Sequence, residues 1–194
     1  MADSLERVLV GQIQLLSTPL TMTDVVYTPQ WLAFDMIEYF RPGGKVLEPS
    51  AGDGAFLQFL PSAEWCEIAH GRDFFAYHDR VDWCIGNPPY GLYLEWMAHS
   101  MEIANDIVYL LPTNKPFVSF GSINSLRKWG HIKHMRHYAG GRRIGFPFGF
   151  SVSAVHFQCG YFGCMSTSYF DDWHKAKAAA KRNLADTADL PLFA

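Results

Sequence analysis

A doubly wound α/β fold, with a mostly parallel sheet and an antiparallel C-terminal hairpin, is predicted by three features of the 194-residue chain. Short apolar runs ending in glycine or proline turns alternate with segments of helical period, the pattern of strand–helix–strand units. A glycine-rich turn follows the first run, where open α/β sheets bind ligands beyond the carboxyl ends of their strands. Two late apolar runs lie close enough in sequence to pair antiparallel. The length predicts one domain over residues 1–165 and a helical tail over 166–194.

Residues 1–22 show a weak apolar period through Val8, Val10, Ile13 and Leu16. Thr28 can cap a helix and Pro29 suits its first turn, with Leu32, Phe34, Met36, Ile37 and Phe40 as the apolar face. Arg41-Pro42-Gly43-Gly44 ends it. Lys45 to Glu48 reads as a buried strand, then the turn Pro49-Ser50-Ala51-Gly52-Asp53-Gly54, then a short helix from Ala55 to Leu60. Trp65–Ala69 and Val81–Gly86 are predicted strands, Leu92–Asn105 a helix, and Ile107–Leu111 a strand closed by Pro112. Ser122–Trp129 reads as a helix, Ile132–Tyr138 and Ala154–Phe162 as strands. Asp171-Asp172 would cap a last helix through Arg182.

The hydrophobic content of 49% excludes a wholly disordered chain. No run approaches the roughly 18 apolar residues of a membrane span. MADSLERV has acids before any apolar run, unlike a secretory leader. The four cysteines, at 66, 84, 159 and 164, form no CxxC pair, so neither a zinc site nor a disulfide framework is expected. A reducing, cytoplasmic protein is expected. The net charge of −3 hides an asymmetry: residues 1–120 carry 15 acids and 6 bases, whereas residues 121–170 carry Arg127, Lys128, Lys133, Arg136, Arg142 and Arg143 and no acid. That predicts one basic face for a polyanion on an acidic body.

Two motifs carry chemistry. The first is Leu47-Glu48-Pro49-Ser50-Ala51-Gly52-Asp53-Gly54-Ala55-Phe56-Leu57. It is neither GxGxxG nor GxxxxGK[ST], which argues against dinucleotides and nucleoside triphosphates. Glu48 and Asp53 would repel phosphates and suit a ligand that is cationic or rich in hydroxyl and ammonium donors. S-adenosylmethionine has both. The second is Gly86-Asn87-Pro88-Pro89-Tyr90 at a strand end. Its prolines withdraw two N–H donors and leave carbonyls, Asn87 adds a side-chain carbonyl, and Tyr90 adds a flat ring. Such a set suits an amino group on a planar ring.

Together these motifs resemble those of the amino-group methyltransferases, and most closely the DNA adenine-N6 methyltransferases, over roughly residues 25–112. The resemblance implies a Rossmann-like class I methyltransferase fold, with S-adenosylmethionine as cofactor and DNA, through a flipped adenine, as partner. It implies that Asn87, Pro88, Pro89 and Tyr90 form the catalytic turn. Glu48, Pro49, Ser50, Ala51, Gly52, Asp53, Gly54 and Phe56 resemble the cofactor loop, and Tyr27-Thr28-Pro29 the N-terminal cofactor element. Glu67 stands 19 residues after Glu48, where the family presents an acid to the ribose hydroxyls. Asp73 and Phe74 resemble the pair that holds the cofactor's adenine. Asn87 is shared between cofactor and substrate. No metal is implied. Methyltransferases acting on RNA adenine or on a protein glutamine share the NPPY turn, and a regulatory protein that kept the fold is a further alternative.

The chain departs from larger members in two ways. Only about 33 residues separate the glycine turn from NPPY, so no recognition domain is inserted there, and about 30 residues follow Phe162. A small form is expected, its sequence readout short, absent, or supplied by loops, a homodimer or a specificity partner. The basic segment 127–143 interleaves cations with Trp129 and Tyr138, a mix that contacts phosphates and stacks on bases. If about four of its six charges met phosphates, the log–log salt slope of binding would be roughly −3 to −4. His131, His134 and His137 would scatter over both faces of a strand, against a metal site. The aromatic-glycine loop 145–150 follows, where the resemblance implies an aromatic against the other face of the flipped base; Phe146 is the candidate ring, but the expectation rests on the loop more than on any single ring.

Overall fold

The structure is a computed structural model and describes residues 26–171. The elements are α1 (Gln30–Phe40), β1 (Val46–Glu48), β2 (Glu64–Trp65), β3 (Val81–Gly86), α2 (Tyr93–Ile103), β4 (Ala104–Pro112), α3 (Phe120–Trp129), β5 (Gly130–Gly140), α4 (Gly141–Ile144), β6 (Ser151–Cys159) and β7 (Ser166–Tyr169). They build a seven-stranded sheet of order β2-β1-β3-β4-β6-β5-β7. Every strand points the same way except β6, which pairs antiparallel with both β4 and β5. The predicted doubly wound, mostly parallel sheet with its antiparallel hairpin is the observed architecture. Among the described residues, no helix is long and apolar enough to cross a membrane.

Both faces of the sheet are covered, which is why its central strands are continuously apolar. Along β4, Val108 and Leu110 face the core under α1, whereas Ile107, Tyr109 and Leu111 face the core under α2. Strand β5 breaks this two-residue period. Ile132 and Met135 share one core because the register shifts between Ile132 and His134 against β6, and Tyr138, three residues further on, falls by ordinary alternation in the other.

Several predicted boundaries move. Residues 55–60 form hydrogen-bonded turns rather than a helix, since only six residues separate Gly54, at φ +81°, from Pro61. The predicted strand 65–69 stops at Trp65, because the Glu67 carboxylate bonds the Ala69 amide (3.1 Å) and turns the chain into a 3₁₀ turn. Helix α3 starts two residues early at Phe120, capped by the Ser119 hydroxyl on the Ser122 amide. Strand β6 ends at Cys159, not Phe162. Strand β7 lies within the segment expected to be tail, so the sheet extends past residue 165. The periodic segment 1–22 and the predicted helix beyond Asp171 lie outside the described residues.

One polar device fixes α1 on the sheet. Arg136 of β5 donates to both Asp35 oxygens (Nε 2.7 Å, Nη2 2.9 Å), and the Tyr138 hydroxyl donates to Oδ2 at 2.8 Å. Arg136 and Asp35 are 11% and 12% exposed, so the guanidinium is committed to the fold and not to a phosphate, contrary to the sequence expectation. Asp35→Ala strands a largely buried cation and is expected to destabilise the protein by roughly 3 kcal/mol. Urea unfolding measures this, and a loss below 0.5 kcal/mol (roughly the surface-substitution range) would contradict the clamp.

Candidate active site

The carboxyl ends of β1 and β3 define the site. Strand β1 ends at Glu48 and β3 at Gly86, and these neighbouring strands deliver the glycine turn and the NPPY turn side by side. The backbone there is tightly tied: the Cys66 amide bonds the Glu48 carbonyl (2.8 Å), the Ala51 amide bonds the Cys66 carbonyl (2.9 Å), and the Ser50 hydroxyl donates to the Asn87 carbonyl (3.1 Å). Gly52 has φ +56°, and a Cβ there would lie 3.3 Å from the Tyr27 ring. The position is therefore restricted by both backbone and space.

Between the turns is a cavity of about 290 Å³. It brings together Tyr27, Thr28, Glu48, Pro49, Ser50, Ala51, Gly52, Asp53, Phe56, Glu67, Asp73, Phe74, Asn87, Pro88, Pro89 and Tyr90. Of the sequence candidates for this region, Pro29 and Gly54 do not line it. The Pro29 carbonyl accepts the first amides of α1, and Gly54 shapes the turn. Val26, Ile68, Leu92 and Trp96 also line the cavity and carry no signal in the sequence, whereas Ala55 belongs to the first motif and Phe75 to Arg72-Asp73-Phe74-Phe75, the run that resembles the adenine-holding element. Phe74 is buried and stacks on Trp96 (centroids 4.6 Å), whereas Phe75 is the more exposed ring.

Four carboxylates surround this space. Glu67 is held by the amides of Gly52 (2.8 Å) and Ala69. Asp73 caps the Phe75 amide at 3.0 Å. Asp53 is exposed at the mouth. Glu48 is 1% exposed and its Oε2 has no hydrogen-bond partner. Burial, reinforced by the charges of Asp53 and Glu67, holds the Glu48 carboxyl well above its usual range. An unpaired buried acid among further acids favours a cationic ligand.

The NPPY turn presents acceptors. Asn87 Nδ2 donates to the Val26 carbonyl (3.0 Å), so Oδ1 is the free end, and it is buried without a partner. The Tyr90 hydroxyl is likewise buried and unpartnered, and burial raises its pKa. Opposite Tyr90 stand Phe148 and Phe150, with centroids at 6.0 and 6.3 Å. Phe150 stacks face to face on Phe148 (3.9 Å, 7°), which in turn stacks on Phe146 (5.0 Å). Phe146 is 4% exposed and belongs to the core, so the expected base-facing role does not fall on it.

The basic segment is dispersed. Helix α3 ends at the amino-terminal edge of the sheet, where Trp129 Nε1 bonds the Met101 carbonyl, and Arg127 and Lys128 go with it, away from the cavity. Lys133 lies along β5 and Arg136 is clamped on Asp35. Arg142 and Arg143 are exposed on α4 at the carboxyl edge, on the cavity side. The single basic face expected from the charge run is not formed.

Neither a protein-family model nor a curated protein matches the chain. Solved structures share its fold. A type I restriction-modification methyltransferase subunit from Streptococcus thermophilus is 15% identical, with a TM-score of 0.58 over 81% of this chain and 53% of that one. A protein assigned as the modification subunit of a type I restriction enzyme from Vibrio vulnificus is 14% identical, with a TM-score of 0.54 over 88% and 52%. One assigned as a class I S-adenosylmethionine-dependent methyltransferase from Listeria monocytogenes is 12% identical, with a TM-score of 0.57 over 92% and 76%. The chain thus spans about half the length of the two type I subunits. At these identities the likeness is one of architecture: the chain has the fold of the class I methyltransferases.

Proposed function

We propose that the chain is an S-adenosylmethionine-dependent methyltransferase acting on the exocyclic N6 amino group of adenine in DNA. The observation that carries this reading is the buried, unpartnered Asn87 Oδ1, aimed away from the Val26 carbonyl that occupies its amide nitrogen. A buried acceptor without a donor costs about 1–3 kcal/mol, which a ligand N–H would recover.

The residues present fit the cofactor. The unpaired Glu48 carboxyl and the neighbouring acids suit a ligand with a sulfonium and an ammonium, and Glu67 and Asp73 offer acceptors to ribose and adenine. When bound, S-adenosylmethionine supplies an electrophilic methyl group. Asn87 Oδ1 and the Pro88 carbonyl accept the N–H groups of the target amine, which aligns the nitrogen lone pair and stabilises positive charge as it develops there. Tyr90 covers one face of the base. The amine keeps its protons until the new bond forms, so the turn needs acceptors and no strong base. An adenine inside a duplex must leave the stack to reach such a pocket.

Methyl-group counting with tritiated S-adenosylmethionine tests this, with DNA, ribosomal RNA and a release factor offered in parallel. Label in DNA at N6 of adenine is the expected result. Label confined to RNA or to glutamine assigns the same site to the other acceptor class, and no label anywhere removes the enzyme reading. Specificity partners belong to the same proposal. The described loops around the cavity are short, so the isolated chain is expected to methylate without a unique site of four or more bases.

A further inference from the structure

The edge of the sheet that carries the cavity is rich in exposed rings and poor in exposed cations. Of the eight exposed Phe and Tyr rings among the described residues, five lie here: Tyr27, Phe75, Phe117, Phe120 and Phe150. Their placement follows from the topology. Tyr27 and Phe75 line the cavity. Phe117 and Phe120 follow the carboxyl end of β4, whose Pro112 pairs with Val152 at the start of β6, and Phe150 directly precedes β6. Phe120 is 87% exposed and Phe150 44%, so these rings are held out to solvent at a cost in apolar hydration. Phe150 is also the open end of the Phe146–Phe148–Phe150 stack, one ring away from Tyr90. A stack with an open end is continued by another flat ring.

The charges on this edge differ from what a duplex requires. Arg72 is stacked over Trp65 at 3.8 Å, and the Lys115 ammonium is turned toward the Tyr93 ring, 5.9 Å from its centroid. Besides the ring-stacked Arg72, the exposed guanidiniums here among the described residues are Arg142 and Arg143, and no ring or carboxylate engages these two. Duplex interfaces are strongly basic, and half to two-thirds of their hydrogen bonds go to phosphate and sugar. Exposed rings find nothing to stack on along an intact duplex, where each base face is already covered. In a single strand every base offers a free face, and a few cations with several rings are the usual means of holding it.

We infer that this edge takes its adenine from single-stranded DNA in preference to a duplex. The inference rests on the methyl-transfer reading for its substrate atom, but the strand preference follows from rings and charges alone. It also replaces the salt dependence suggested by the charge run: two guanidiniums on a single strand imply a log–log slope of about −1.4.

The test uses the full chain with one oligonucleotide, its duplex, and the duplex with the target adenine unpaired, followed by fluorescence anisotropy and tritium transfer. The single strand should bind and react at least tenfold better than the duplex, with the unpaired-adenine duplex between them. Phe120→Ala and Phe150→Ala should each weaken single-strand binding about tenfold. Both side chains are exposed, so folding should survive. Phe162→Ala, an exposed ring at the opposite edge, should change nothing. Equal or tighter binding of the duplex, or a slope steeper than about −3, overturns the inference. Single-strand preference in binding with no methyl transfer to any nucleic acid leaves the inference standing and removes the proposed reaction. Transfer to single-stranded RNA but not DNA supports the strand preference and overturns the choice of DNA.

Discussion

Asn87→Ala is expected to lower methyl transfer roughly 10²–10³-fold while cofactor affinity changes little. The magnitude is that of removing one preorganised hydrogen-bonding group from a site where charge develops in the transition state. The residue sits in the NPPY turn after β3, whereas the acids proposed to face the cofactor belong to β1, the glycine turn and the segment 67–73. Tyr90→Ala should behave alike, through lost stacking rather than a lost acceptor. Calorimetric titration with S-adenosylhomocysteine separates binding from turnover. Near wild-type turnover in either variant would remove the NPPY turn from catalysis. A parallel collapse of affinity in Asn87→Ala would show instead that its bond to the Val26 carbonyl shapes the whole cavity.

The features legible in the sequence were those written in local chemistry. Strand β3 ends where Gly86 and two prolines end the apolar run, and its predicted bounds match the observed ones. The cavity-lining residues were legible because a glycine turn and an NPPY turn both follow strands of a parallel sheet, and parallel strands deliver their carboxyl ends to one edge. Features set by long-range packing were not. Strand β7 reads Ser-Thr-Ser-Tyr, without an apolar alternation, and is held by backbone pairing with β5 and by Ser166 and Ser168 hydroxyls on the His134 ring. Phe146, Phe148 and Phe150 are equivalent in sequence, and the tertiary fold alone decides that one is core and another is exposed. The charge run failed for a geometric reason. Helix α3 and strand β5 carry its residues across the full height of the sheet, so neighbours in sequence end on opposite edges.

Glu48→Gln should make the ligand-free protein more stable and its cofactor affinity poorer. The Glu48 carboxyl is raised above its usual 4.5 chiefly by burial, then by the charges of Asp53 and Glu67. A raised carboxyl means that the folded state binds more protons than the unfolded chain above that pH. Its contribution to stability is therefore complete below about pH 4.5 and is lost as pH rises toward the folded-state value. Glutamine cannot ionise and escapes the loss. The variant should match the wild type near pH 4 and exceed it by about 1–2 kcal/mol at pH 8, a gain typical of relieving a strained functional group. A cationic cofactor favours the ionised acid, so its binding to the wild type should release a proton to the buffer. Titrations in two buffers of different ionisation enthalpy measure that release, which Glu48→Gln should abolish. Identical unfolding midpoints at pH 8 together with unchanged proton release would exonerate Glu48 on both counts.

The bond between Val26 and Asn87 has a consequence for which bases the pocket accepts. The two ends of a carboxamide have nearly the same size and opposite polarity, so turning it over exchanges an acceptor for a donor without moving an atom of the fold. On the proposed reading, the Val26 carbonyl takes the nitrogen end and so sets the pocket for amino-bearing bases. With that carbonyl withdrawn, the same asparagine could greet a keto oxygen. If the chain acts on bases as proposed, discrimination between amino and keto bases falls in part to a main-chain atom 61 residues away in sequence, outside the NPPY turn. Changes to the backbone at Val26 should relax base choice before they reduce rate.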